Sequence, residues 1–243
     1  MAIHETFSNK IAIITGAASG IGFALSRELA RRGALVVMVD RNADLLFASA
    51  ASIKGEGFRV IAAQLDVTDH AAVKKLVDDI IAAHNRIDYL FNNAGVVICG
   101  EAQDFSLDDW HSVIDTNLYG VINGVTAVYP LMVKQGFGHI VNTSSVAGLA
   151  PFTGQVPYTA SKHAIVGLST ALRIEGADLG VKVSVVCPGL IDTELMEKRP
   201  VKPDAATLAK ALKPEDVAEA ILACAKLPLL VCVPELTIVP TYI

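Results

Sequence analysis

The 243-residue chain has no run of about 18 apolar residues, so no membrane-spanning helix is expected. Its start, Met1-Ala2-Ile3-His4-Glu5, has neither a basic opening nor an apolar signal core, and the cytoplasm is the expected compartment. It lacks any basic block, and 20 Lys+Arg against 25 Asp+Glu give a net charge of -5. That argues against nucleic acid and anionic membrane surfaces as partners. Cysteine is scarce: Cys99, Cys187, Cys224 and Cys232 are widely spaced and form no Cys-x-x-Cys. They read as reduced core residues rather than disulfides or metal ligands. The six histidines show no ligand spacing, so no metal site is expected and His139 and His163 read as structural or solvated. Linkers, repeats and low-complexity tracts are also missing, which leaves one domain over residues 1–243.

What the chain does have is core material, at 52% hydrophobic and 19% charged residues. Short apolar runs alternate with helical stretches. Strands are expected at Ile11–Thr15, Leu35–Val39, Arg59–Ala63, Tyr89–Asn92, Ile140–Thr143, Val183–Cys187 and Leu229–Val233. Helices are expected at Gly20–Arg32, Asn42–Glu56, Ala71–His84, Trp110–Gln135, Tyr158–Leu179, Ala206–Leu212 and Val217–Lys226. The strands are continuous apolar runs, as required when both faces are covered. This predicts an α/β fold: a doubly wound, Rossmann-type domain with a mostly parallel sheet between helices. The least regular part holds Pro200, Pro203 and Pro214. A substrate lid at about 190–213 is one reading, and an ordinary surface loop is the other.

The first strand is joined to the first helix by Thr15-Gly16-Ala17-Ala18-Ser19-Gly20-Ile21-Gly22. Glycines there let the backbone turn tightly and approach a pyrophosphate, and the helix N-terminus offers free N–H groups. Gly16, Ser19, Gly20, Ile21 and Gly22 are therefore candidate cofactor contacts. Asp40 ends the second strand, where an acid can accept from ribose hydroxyls and repel a 2′-phosphate. At ~4 Å and an effective dielectric near 20, that repulsion is about 4 kcal/mol. Arg41 could attract the same phosphate, but an exposed arginine is largely solvated, so NAD is favoured over NADP. Asp66-Val67 follows the third strand. Its aspartate reads either as an acceptor for an adenine amine, completed by the Val67 amide, or as a cap for the next helix. Asn92-Asn93-Ala94-Gly95 ends the fourth strand and supplies Asn93, Ala94 and Gly95 beside a cofactor.

Tyr158 and Lys162 stand four apart in a helical stretch, so both leave one face. A free tyrosine titrates near 10, and a cation one turn away favours the phenolate. That makes a tyrosine usable as a general acid/base. A lone pair of this kind carries little weight; its company carries more.

Thr15-Gly16 to Gly22, Asp66, Asn92-Asn93-Ala94-Gly95, Asn117, Ser144-Ser145, Tyr158 with Lys162, and Pro188-Gly189 together resemble the short-chain dehydrogenase/reductase family. The resemblance runs from about Lys10 to Val233. It implies hydride transfer between a nicotinamide and an alcohol or carbonyl carbon, with a small-molecule substrate. It makes Tyr158 the proton donor/acceptor. Lys162 would bond the nicotinamide ribose. Ser145, thirteen residues before Tyr158, would hydrogen-bond the reacting oxygen. Ser144 is one residue off that spacing. Asn117 would hold a water linking Lys162 to solvent. Pro188-Gly189 would turn the chain past the nicotinamide, with Thr193 at its carboxamide and Ile191 nearby. Phe152, Val156, Leu195 and Met196 are expected to line an apolar substrate pocket. The C-terminus lacks the family's common Gly-rich ending, but a homo-oligomer (dimer or tetramer) is still expected. Apolar residues on several sides of the helix over 110–135, such as Val121, Val125, Val128 and Leu131, fit a subunit interface or core burial. The rival enzyme is an NADP(H)-dependent 3-oxoacyl-carrier-protein reductase. A reading of another class is a non-catalytic nucleotide-binding sensor.

Overall fold

Apolar runs become the inner strands here because each of these is buried from two sides. The computed structural model describes residues 6–193 and 204–241. Its strands are β1 (Ile11–Thr15), β2 (Leu35–Asp40), β3 (Val60–Gln64), β4 (Tyr89–Asn92), β5 (Gly138–Thr143), β6 (Val181–Pro188) and β7 (Glu235–Ile238). Its helices are α1 (Gly20–Arg31), α2 (Ala43–Gly55), α3 (His70–His84), α4 (Leu107–Ile114), α5 (Gly120–Gln135), α6 (Val156–Gly176), α7 (Ala205–Leu208) and α8 (Pro214–Ala225). The strands form one parallel sheet in the order β3-β2-β1-β4-β5-β6-β7. The chain winds outward from β1 to β3, then restarts beside β1 at β4. That reversal leaves a crevice at the carboxyl ends of β1 and β4, where ligands bind in such sheets.

Strand residues alternate between two cores. Ala12, Ile14, Val36 and Met38 pack with Leu25 and Leu29 of α1, Leu46 and Ile53 of α2 and Leu222 of α8. Ile11, Ile13, Val37 and Val39 pack on the other face with Val77 and Ile80 of α3, Val125 and Val128 of α5 and Ile165 of α6. Each large aliphatic side chain so buried contributes roughly 1.5–3 kcal/mol. Caps fix the helix starts: the Asn42 side chain accepts from the Leu45 N–H at 3.2 Å and that of Asp69 from the Ala72 N–H at 3.0 Å.

Two sequence expectations need correction. The apolar run at 229–233 is not the last strand. Leu230 is 98% exposed, and the edge strand is Glu235–Ile238, paired to Val185–Pro188. The buried Lys182 ammonium gathers the carbonyls of Leu227 (2.9 Å), Pro228 (3.5 Å) and Val231 (3.3 Å), which bends this run into a turn. The single long helix over 110–135 is instead α4 and α5 joined by a π turn at Asp115–Tyr119. Val121, Val125 and Val128 are buried in the second core, so core packing accounts for them without an interface. No described helix is long and apolar enough to cross a membrane.

Candidate active site

A cleft of about 370 Å³ opens at the carboxyl ends of the strands, over the β1/β4 reversal. One end is built from the tips of β2 and β3. Asp40, the last residue of β2, is committed to backbone. Its Oδ2 accepts from the Ala18 N–H at 3.2 Å and its Oδ1 from the Asn42 N–H at 3.0 Å. Ser49 of α2 donates to the Ala18 carbonyl at 2.8 Å. The glycine loop is thus pinned from below by both neighbours of β2. Asp66 does not cap α3, since Asp69 does. Its Oδ1 accepts from the Thr68 N–H and hydroxyl, each at 2.9 Å, and its Oδ2 lies 3.9 Å from Arg41 Nη1.

The middle of the cleft is the glycine loop, and two of its glycines are sterically required. Gly16 has φ +64, and a Cβ there would stand 2.9 Å from Ala94 Cα. A Cβ on Gly22 would meet the Gly16 carbonyl oxygen at 2.1 Å. Gly22 therefore seats the loop on α1 rather than lining the cleft. Asn93 Nδ2 donates to the carbonyls of Thr15 (3.2 Å) and Gly16 (3.3 Å). Thr15 Oγ1 accepts in return from the N–H groups of Asn93 and Ala94, each at 3.0 Å. The tips of β1 and β4 are thereby locked together. Ser19 precedes α1 without a side-chain capping bond, so the first-turn N–H groups keep their capacity for an anion.

The far end gathers Ser145, Tyr158 and Lys162. Ser145 Oγ accepts from the Ala147 N–H at 3.1 Å, which leaves its own proton to give. Ser144 also borders the cleft, but its buried hydroxyl donates to the Lys162 carbonyl at 2.9 Å. Lys162 Nζ donates to the Thr143 carbonyl at 2.8 Å and stands 5.5 Å from the Tyr158 ring centroid. The lysine is only 4% exposed, and burial pushes its pKa down to about 8. Asn117 sits in the π turn with its amide fully engaged. Nδ2 donates to the Val96 carbonyl (2.9 Å) and Ser161 Oγ (3.1 Å), and Oδ1 accepts from the Val96 N–H (2.7 Å). A side chain so occupied holds the wall at Val96 in place.

The cleft lining brings together Gly16, Ser19, Gly20, Ile21, Asp40, Arg41, Asp66, Val67, Asn93, Ala94, Gly95, Ser145, Tyr158, Lys162, Pro188, Gly189, Ile191 and Thr193. Gly22 and Asn117 stand behind it. Phe152 and Val156 are 48% and 40% exposed and are not part of the lining, against the sequence expectation, because they sit on the turn entering α6 and its outer first turn. Leu195 and Met196 lie outside the described residues. Val96 and Val97, of the stretch 96–100 expected to frame the pocket, also line the cleft; sequence reasoning missed Ala18, Asn42, Leu45, Leu65, Thr116 and Thr143. Leu65 directly follows β3 and Thr143 ends β5, and for these two that position was the available signal. Residues 190–192 are tied to Leu212: the Leu212 N–H donates to the Leu190 carbonyl at 3.0 Å and the Asp192 N–H to the Leu212 carbonyl at 2.9 Å.

His139 lies at the opposite end of the sheet. Its Nε2 is 2.9 Å from Ser184 Oγ, and burial pushes its pKa down to about 3, so it is a neutral structural residue. The four cysteines are free, and among the described residues no group of three His, Cys, Asp or Glu could hold a metal. The site does fit a nicotinamide dinucleotide. The loop admits no Cβ at Gly16 or Gly22, a helix N-terminus faces the cleft, and a carboxylate stands at one end with a hydroxyl, a phenol and an ammonium at the other.

The short chain dehydrogenase family model matches residues 10–204. The chain is 38% identical to a 3-oxoacyl-acyl-carrier-protein reductase of Thermotoga maritima, covering 88% of this chain and 89% of the relative. It is 37% identical to a meso-2,3-butanediol dehydrogenase of Serratia marcescens, over 87% of this chain and 85% of the relative. A metagenomic short-chain oxidoreductase in complex with NADP superposes with a TM-score of 0.85 at 30% identity, covering 98% of this chain and 100% of that one. A short-chain dehydrogenase/reductase of Burkholderia phymatum in complex with NAD gives 0.85 at 32%, covering 96% and 89%. The protein belongs to the short-chain dehydrogenase/reductase family and is an oxidoreductase of the CH–OH class.

Proposed function

We propose that the protein is an NAD(H)-dependent oxidoreductase acting between a small, apolar secondary alcohol and its ketone. The observation that carries this is the cleft itself. A carboxylate closes one end, and Ser145, Tyr158 and Lys162 meet at the other among Val96, Val97, Pro188 and Ile191. A bound nicotinamide supplies the hydride acceptor or donor. The chain's residues do the rest. Tyr158 takes the alcohol proton in oxidation and returns it in reduction. Ser145 gives its hydroxyl proton to the reacting oxygen and steadies the charge that develops there. Lys162 holds an ammonium beside the phenol and offers its remaining N–H groups to a ribose. Asn117 contributes to proton exchange with solvent through its backbone, since its side chain is spent on Val96 and Ser161. At the other end, Asp40 accepts from ribose hydroxyls and disfavours a 2′-phosphate. Asp66 and Val67 meet the adenine. Gly189, Ile191 and Thr193 border the nicotinamide, and the segment at 190–213 covers the substrate. The protein works as a homo-oligomer, for which the exposed Tyr119, Ile174 and Leu179 provide apolar surface.

The second reading, an NADPH-dependent reductase of carrier-bound 3-oxoacyl groups, is favoured by the Thermotoga relative. Against it, Lys162 is the sole basic side chain lining the reaction end among the described residues. A panel of secondary alcohols and ketones assayed with NAD(H) and NADP(H), beside an acyl-carrier thioester, tests both. Turnover of simple alcohols with NAD far faster than with NADP supports the proposal. Fast thioester reduction with NADPH replaces it with the second reading. No hydride transfer with any of them, despite dinucleotide binding, would leave the sensor.

A further inference from the structure

We propose that Asp66 is a specificity-determining residue that acts through Arg41, by keeping that guanidinium away from the adenosine 2′ position. This rests on the NAD-preferring reading above. Arg41 directly follows Asp40 at the tip of β2 and lines the same cleft, so by position it is available to a 2′-phosphate. Its charge faces the other way. Nη1 is 3.9 Å from Asp66 Oδ2 across the gap between β2 and β3. Asp66 is a fixed target rather than a mobile one. Its other oxygen is held by the Thr68 N–H and hydroxyl, each at 2.9 Å, which aims Oδ2 at the arginine. Among the described residues the ion pair of Arg41 is with Asp66 and not with Asp40, whose oxygens each accept one backbone N–H and keep a lone pair for a ribose hydroxyl. The three side chains therefore divide the work. Asp40 faces the ribose, and Asp66 holds the cation and competes with a phosphate for it.

Exposed ion pairs of this kind shift equilibria by about two- to fivefold, and that is the effect to be read. The probes are NADH and NADPH, titrated into the intact protein and followed by nicotinamide fluorescence. The quantity is the ratio of their dissociation constants, which cancels any contact both share, including one to adenine. Asp66→Asn keeps the acceptor for Thr68 and removes the charge. It is expected to narrow the preference for NADH by about two- to fivefold. Arg41→Ala is expected to leave the ratio nearly unchanged in the parent and to reverse the gain in the Asp66→Asn background. Asp69→Asn, which removes a nearby charge and preserves the α3 cap, should leave the ratio as it was. Equal effects of Arg41→Ala in both backgrounds, an unmoved ratio in Asp66→Asn, or an Asp69→Asn effect matching that of Asp66→Asn would overturn the inference. So would failure of both dinucleotides to bind. Tighter NADPH binding by the parent would sink the NAD reading instead, and the coupling between the two substitutions would still decide this one.

Discussion

Two lysines are buried at opposite ends of one parallel sheet, and they are held in different ways. Lys182, 8% exposed at the start of β6, gives its ammonium to three backbone carbonyls of the turn after α8. Lys162, 4% exposed beside the end of β5, has one carbonyl, that of Thr143, and an aromatic ring. The amino end of the sheet shows the same thrift elsewhere. Asp88 there accepts from Lys10, Arg86 and the Ile11 N–H, and His139 is neutral. A charge whose donors are all satisfied by backbone ties the fold together. A charge left with donors to spare costs stability and is available for chemistry.

The comparison can be tested from its largest effect down. Tyr158→Phe should lower kcat by about 10²–10⁴-fold while dinucleotide binding persists, as seen in steady-state rates beside fluorescence titration. Lys182→Met should leave the rate per folded molecule intact. Burial lowers the pKa of both ammonium groups, so the lysines should separate by what their removal leaves behind: three carbonyls without their donor at Lys182, and one at Lys162. Lys162 titrates at about 8 in the fold against an ordinary 10.5, so its burial costs stability in full below pH 8 and is relieved as pH rises towards 10.5. Lys162→Met should thus raise the unfolding free energy at pH 7 by about 2 kcal/mol while removing activity. Lys182→Met should lower it by about 2 kcal/mol. Urea unfolding of both variants decides; shifts in the same direction would refute the contrast.

His139 gives a smaller effect at the amino end. Its folded pKa of about 3 lies below its ordinary 6.5, so stability is fully present above pH 6.5 and falls with acid. The loss from this one group is about 1.4 kcal/mol per pH unit below that point. Unfolding midpoints at pH 7 and pH 5 should converge more in His139→Leu than in the parent. Least of all, Gly136→Ala should cost about 1 kcal/mol, because φ there is +72 with nothing near the added carbon. Dinucleotide affinity should not follow. Gly22→Ala, with no room for a Cβ, should lose that affinity outright.

The features readable from sequence were those that depend on near neighbours. Apolar runs became the inner strands, and glycine spacing marked the loop before α1. The thirteen-residue step to Tyr158 distinguished Ser145 from Ser144, whose hydroxyl is turned to the Lys162 carbonyl. What escaped depended on distant partners. The run at 229–233 looks like a strand until Lys182, some 45–49 residues earlier, takes the Val231 carbonyl and those of Leu227 and Pro228 just before the run. The π turn at Asn117 rests on a wider i→i+5 hydrogen-bond pattern that no residue type in Asp115–Tyr119 announces. Asp66 and Asp69 both precede α3, and only the bonds to Thr68 and Ala72 tell them apart. Ser49 was silent because its bond to Ala18 spans 31 positions.

The clamp that Asp40 and Ser49 place on the Ala18 peptide has an evolutionary consequence. Exchanging that aspartate for an aliphatic residue would remove a charge from the cleft and at the same time strip the acceptor from the Ala18 N–H. Charge at this position can therefore drift without loosening the glycine turn only through residues, such as asparagine, that keep a side-chain oxygen there.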